Sequence, residues 1–206
     1  MPLTQEHVFA RWLVERLRAW RVTHADHSAD EDAAEQRISR MVSSVCGTCN
    51  AGWMSGLEMS FRAAVFGRDR PERLAGPTRQ VLSRWFSKTA VLVADASGRE
   101  LVPVERWPLL VSSMPPDIRV GLAHLRRPRQ PLGLELQQTS DDEGVQLTGV
   151  ALQVDDLVGV VTRRLTTAPA TILWPIRSHV LRWSTLPVVN RLSDLTGGSP
   201  RRVRAR

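Results

Sequence analysis

Among its 206 residues this chain has only two cysteines and a single lysine, Lys88. It also has no stretch near the ~20 consecutive apolar residues that a membrane-spanning helix needs. Its start, MPLTQEHVFARWL, lacks the basic, apolar and small-residue order of a secretory signal. A cytoplasmic protein with no membrane partner is the expectation. The two cysteines, Cys46 and Cys49, stand in a C-x-x-C spacing. In a cytosolic protein that spacing points to metal or redox chemistry more readily than to a structural disulfide. A redox role lacks its usual setting, since no thioredoxin-like βαβ pattern surrounds the pair and no Trp precedes it. The near-absence of lysine leaves arginine to carry the positive charge, a bias read as compositional and not as phosphate recognition.

What is present is an ordinary globular composition, 42% hydrophobic and 24% charged, enough for one domain or a small module joined to a second. The net charge of +7 is unevenly placed. Residues 1–75 hold ten Arg against ten Asp or Glu, whereas residues 76–206 hold 18 basic against 11 acidic residues. Arg201, Arg202, Arg204 and Arg206 crowd the C-terminal tail. Such a tail releases counterions when it meets phosphates, so a DNA partner fits, and the competing reading is a solvated, disordered end.

Apolar positions at Val8, Trp12, Leu13, Leu17 and Trp20 predict a helix over 8–20. A polar, acidic loop with His24 and His27 follows, both read as solvated. Residues 38–45 predict a strand running into the C-x-x-C turn, and 53–66 a second helix. Gly and Pro on both sides of residues 67–77 suggest a boundary. Beyond it, 78–96 predicts a strongly apolar helix with Thr78 as N-cap, and VERWPLLVSSM a shorter partner. From Asp117 the pattern changes to period two, giving four or five strands with a hairpin turn at 141–144. His124 and His179 fall in strand-like segments and read as structural. The seven tryptophans read as packing groups. The fold class expected is α+β, with residues 1–75, 76–195 and the tail 196–206 as its parts.

The informative cluster is Glu6-His7, then Cys46-Gly-Thr-Cys49-Asn50, then Gly52-Trp53 opening a helix. A metal-assisted phosphodiesterase needs a cation for the scissile phosphate and a base that accepts a proton near neutral pH. Histidine suits the second role, and carboxylate and amide oxygens suit a hard cation such as Mg²⁺. In an extended segment Glu6 and His7 face opposite sides. Asn50, at a helix start, is rigidly placed for a second oxygen ligand.

The EHVFARWL and VCGTCNAGWMSGLE segments resemble the HNH (His-Me finger) endonuclease superfamily, particularly its zinc-containing endonuclease VII-like branch. They also resemble an uncharacterised bacterial HNH-like family, whose I-W-P stretch is similar to Leu173-Trp174-Pro175. The resemblance implies an N-terminal ββα-metal module, followed here by a helix pair and a small antiparallel sheet. It places the general base on His7 and the catalytic cation, Mg²⁺ or similar, on Glu6 and Asn50. Glu58 then reads either as a partner orienting a ligand or as a solvated helix carboxylate. Three departures stand out. The residues before Glu6 hold no second C-x-x-C, Ala10 replaces the usual Pro, and the middle Asn of the pattern has no clear counterpart. Since a structural zinc takes four ligands, Cys46 and Cys49 form an incomplete site, and zinc is expected to be absent or sub-stoichiometric. The expected function is a metal-dependent endonuclease hydrolysing DNA. The alternative is a catalytically degenerate HNH fold that binds nucleic acid or a partner.

Overall fold

The computed structural model describes residues 3–23, 42–68, 72–128, 130–141, 144–163, 169–175 and 180–196. The loop with His24 and His27, the first part of the strand expected over 38–45, His179, and the tail with Arg201, Arg202, Arg204 and Arg206 lie outside the described residues. The architecture is α+β.

The first element is a strand, β1 (Leu3–His7), which the mostly polar sequence LTQEH does not announce. Pairing creates it: β1 runs antiparallel to β2 (Val42–Cys46), with Leu3 opposite Cys46 and His7 opposite Val42. Between them lies α1 (Arg11–Thr23), which begins three residues later than the apolar stripe suggests. Val8 and Phe9 precede the helix and are buried directly, so their hydrophobicity serves the core and not the helical period.

After β2 the chain becomes helical at once, through one turn at Gly47–Cys49 and a π-helical turn at Asn50–Met54, into α2 (Ser55–Phe66). Gly52, at φ −95° and ψ −107°, kinks this passage. A short β3 (Arg73–Leu74) leads to α3 (Gly76–Ala96). Pro77 sits in its first turn, where an N–H has no helical partner to lose, and Gly98 at φ +65° follows its end. Between Leu82 and Ala94 this helix is buried on nearly every side, including Ser83, Ser87, Lys88 and Thr89. Phe61 of α2 stacks on Trp85 with ring centroids 3.7 Å apart. Phe86, the next residue, meets Phe61 edge-on and also presses on Gly159, where a Cβ would come within 2.2 Å of the ring.

The helix expected after Pro103 is instead a 3₁₀ segment, Val104–Val111, so the expected helix pair is corrected to one long helix and this segment. Pro108, inside it, has no N–H with which to extend an α-helical ladder. Then come β4 (Arg119–Leu125), β5 (Leu132–Asp141), β6 (Gly144–Val154), β7 (Leu157–Thr162), β8 (Thr171–Trp174), β9 (Leu181–Arg182) and β10 (Val188–Val189). The sheet order is β10-β4-β7-β6-β5, with β8 also on β4, while β9 pairs with β3. All pairs are antiparallel except β10 with β4, so the small antiparallel sheet expected is a six-stranded mixed one. Asp141 pairs with Gly144, bounding the expected hairpin turn. A short α4 (Ser193–Thr196) ends the described chain. One hydrophobic core joins Val8 and Leu13 to Phe61, Trp85, Leu122 and Val150, drawing side chains from both sides of residue 75.

Candidate functional site

A cavity of about 520 Å³ opens where the end of β1, α1, the π-helical turn, α2 and α3 meet. His7, Asn50 and Glu58, far apart in sequence, all line it. His7 closes β1 and is exposed. Asn50 is half-buried, and its backbone is engaged within the helical passage: its N–H donates to the Gly47 carbonyl and its carbonyl accepts the Ser55 N–H. That five-residue hydrogen bond defines a π turn, a rare feature found mostly at functional sites. Glu6 occupies the β1 position opposite Ser43, and its side chain lies outside the described residues. The structure therefore brings His7, Asn50 and Glu58 to one place and says nothing of the Glu6 carboxylate.

Glu58 is not a solvated helix carboxylate. Its side chain is 14% exposed and forms an ion pair with Lys88 of α3, itself only 5% exposed. The Lys88 ammonium donates to Oε1 of Glu58, while the indole N–H of Trp12 on α1 donates to Oε2 at 3.3 Å. A lysine buried this deeply needs a counter-charge, and Glu58 provides it. Both carboxylate oxygens are thus engaged from two different helices. Sequence reading missed Lys88 and Trp12 as site residues. The signal for Lys88 was there: a charged residue inside the apolar run WFSKTAVLV belongs in water unless a partner awaits it. The geometry of the helices explains the rest. Ser55, Glu58, Met59 and Arg62 share one face of α2, and Lys88 and Leu92 one face of α3. At the rim Arg11 pairs with Glu15 at 2.8 Å, and the Arg62 guanidinium lies 5.8 Å from the Trp12 ring centre.

Cys46 and Cys49 lie outside the cavity lining and form no disulfide. Cys46 ends β2 and caps the following turn, its sulfur accepting the Cys49 N–H at 3.4 Å. Hydrogen bonding from Cys49, backbone first, holds the Cys46 thiol below the ordinary cysteine value. Cys49 is pushed the other way, mainly by its hydrogen bond to Cys46 and then by burial. Among the described residues no three His, Cys, Asp or Glu side chains gather in a metal-holding arrangement. Two thiols are half of a tetrahedral zinc set.

Away from the cavity, His124 has the structural role expected of it. Its Nδ1 lies 3.0 Å from Asp156 and its Nε2 lies 3.2 Å from the Trp183 carbonyl. Hydrogen bonding to Asp156 holds His124 above the usual histidine value, against a smaller opposing effect of burial. Trp85 and Trp183 are core residues, and Trp12, Trp53, Trp107 and Trp174 pack against that core, as expected of packing groups.

Comparison of the chain with family models, with curated proteins and with solved structures gives no match.

Proposed function

We propose that this chain is a metal-dependent HNH-type endonuclease that hydrolyses DNA phosphodiester bonds at the cavity shared by His7 and Asn50. The observation that supports the reading is a convergence: β1 and β2, separated in the chain by α1, pair antiparallel, β2 leads into a helical passage, and His7 at the end of β1 and Asn50 in that passage line one cavity.

His7, exposed at the cavity, takes a proton from water as the water oxygen bonds to phosphorus. The bond from phosphorus to the 3′ oxygen breaks, and that oxygen takes up a proton from solvent. The donors available fit a hard cation of the Mg²⁺ type better than zinc, because they are an amide and a carboxylate and such an ion retains several waters. Asn50 and Glu6 would hold it, and when bound it supplies positive charge to the leaving oxygen. A DNA partner rests on this reading and on the excess of arginine in the C-terminal half.

A second reading, a scaffold that binds nucleic acid without cutting it, is favoured by one observation. Glu58, a carboxylate on the cavity, is hydrogen-bonded through both oxygens to Lys88 and Trp12, and its charge is already balanced by the Lys88 ammonium. A Mg²⁺-supplemented nuclease assay on the purified chain separates the two. Cleavage that drops on the order of 10²–10⁴-fold in His7→Ala supports the enzyme. Binding without cleavage under every divalent cation supports the scaffold.

A further inference from the structure

The hydrolysis described above makes no use of the most deeply buried charged group on the cavity wall, the Lys88 ammonium. We propose that Lys88 is the anion subsite of this cavity, holding a non-bridging oxygen of a DNA phosphodiester while it remains ion-paired with Glu58. The proposal deepens, and rests on, the phosphodiester reading of the site.

An ammonium carries three N–H donors. One goes to Glu58, and the Trp85 ring lies 5.7 Å from the nitrogen. Among the described residues no other acceptor meets it. Buried donors left unfilled are costly, so water or a ligand oxygen completes them, and Lys88 lines a cavity roomy enough for either. Trp12 holds the second oxygen of Glu58 at 3.3 Å, which favours the carboxylate staying on the ammonium while Lys88 borders the cavity.

Charge points the same way. Lys88, Arg11 and Arg62 face Glu15 and Glu58 around the cavity, three positive groups against two negative ones. Arg11 is matched by Glu15 and Lys88 by Glu58, and Arg62 adds a further positive charge to the same lining, which favours an anion there. It also gives the site a polarity, since a cation is repelled from the Lys88 wall and would find its oxygen donors at the Asn50 side. His7 and Lys88 line the same cavity, so a phosphodiester with one oxygen on the ammonium lies in the space that the base also borders. Lysine is suited to this as a compact point charge that needs no planar, two-pronged geometry.

The test uses the fact that Lys88 is the only lysine of the chain. Labelling lysine side chains with ¹⁵N yields one ammonium resonance for the whole protein. That resonance is followed in metal-free buffer as inorganic phosphate, acetate, or a short phosphorothioate-protected DNA strand is added to the intact chain. Expected is a saturable shift with the DNA and with phosphate, weaker with acetate. Lys88→Met should lower DNA affinity about ten-fold or more, with Lys88→Arg recovering part of it. The wild-type titration stands even where Lys88→Met fails to fold. An unmoved resonance, a shift with acetate as large as with phosphate, or a folded Lys88→Met that binds DNA like wild type overturns the proposal. Cleavage with an unmoved Lys88 signal sinks the subsite and leaves the nuclease standing. A shift with no cleavage under any cation sinks the nuclease and leaves the subsite.

Discussion

Arg16 and Asp155, 139 positions apart, clasp each other through two parallel hydrogen bonds, Nε to Oδ1 at 3.0 Å and the terminal nitrogen to Oδ2 at 2.5 Å. The pair ties α1 to the tight turn between β6 and β7. Asp155 holds that turn at φ +52°, a backbone state that costs most residues energy. Three substitutions separate the two contributions. Arg16→Ala removes a half-exposed pair together with the guanidinium's contact with the Phe66 ring, 4.8 Å away, and should cost about 1 kcal/mol in urea denaturation. Asp155→Ala loses the pair and also puts alanine in a left-handed conformation, roughly 1 kcal/mol worse. Asp155→Gly loses the pair without that strain and should be more stable than Asp155→Ala. Equal stability of the last two would show that the turn does not depend on that conformation.

Removal of a ligand and removal of a base should leave different kinetic traces. Asn50→Ala is expected to raise the concentration of Mg²⁺ needed for half-maximal cleavage, with activity recovering as the ion is added, because the base survives. His7→Ala should show no such recovery. Titrating the cation against initial rate for both variants decides it. Recovery of His7→Ala at high Mg²⁺ would remove His7 from the proton transfer.

His124 makes stability depend on pH in a stated direction. Its folded pKa lies above the unfolded value of about 6.5, so its contribution is complete below that pH and fades as pH rises through the folded pKa. Asp156 is 62% exposed, which keeps the size within about 1 kcal/mol. Urea midpoints of wild type and His124→Gln should differ most in mild acid and converge in mild alkali. A gap that widens toward alkali would contradict the assignment.

The two cysteines should differ in reactivity despite their closeness. With its thiol held low by the Cys49 N–H, Cys46 should alkylate faster with iodoacetamide near neutral pH than Cys49, whose thiol is pushed up. Fragment-ion mass spectrometry of the peptide containing both locates the first label. Preferential labelling of Cys49 would show that access, not thiolate character, sets the order.

Much of this could be read from the residues alone where the signal is local. The apolar run 78–96 is a helix, and the alternating segments after Asp117 are strands, because burial on one or both faces writes a period into the sequence. The strand β1 was invisible for the opposite reason: LTQEH has no period, and its conformation comes from pairing with a segment some forty residues away. Asn50 and His7 were legible as candidates because their residue types announce chemistry. Glu58 was legible as a motif residue and Lys88 as a charge inside an apolar run, but their pairing was not, because thirty residues separate them. Only the crossing of α2 over α3 makes them neighbours. The 3₁₀ segment shows a third kind of difficulty. Its composition is that of a helix, and one internal proline changes the hydrogen-bond ladder.

The stack of Phe61 on Trp85 has a consequence for how this protein can be taken apart. Phe61 belongs to α2, which carries Glu58 and continues from the turn holding Asn50, and Trp85 belongs to the helix that rests on the sheet. A chain cut after residue 75 would bare the aromatic face of α2 and leave Glu58 without its counter-ion. The strand pair and helices that shape the cavity are therefore not a cassette that could be lifted onto another scaffold. The sheet acts as their foundation, and a substitution as remote as Gly159→Ala, by driving Phe86 and with it α3 out of place, would be felt as a displaced Lys88 on the far side of the same helix.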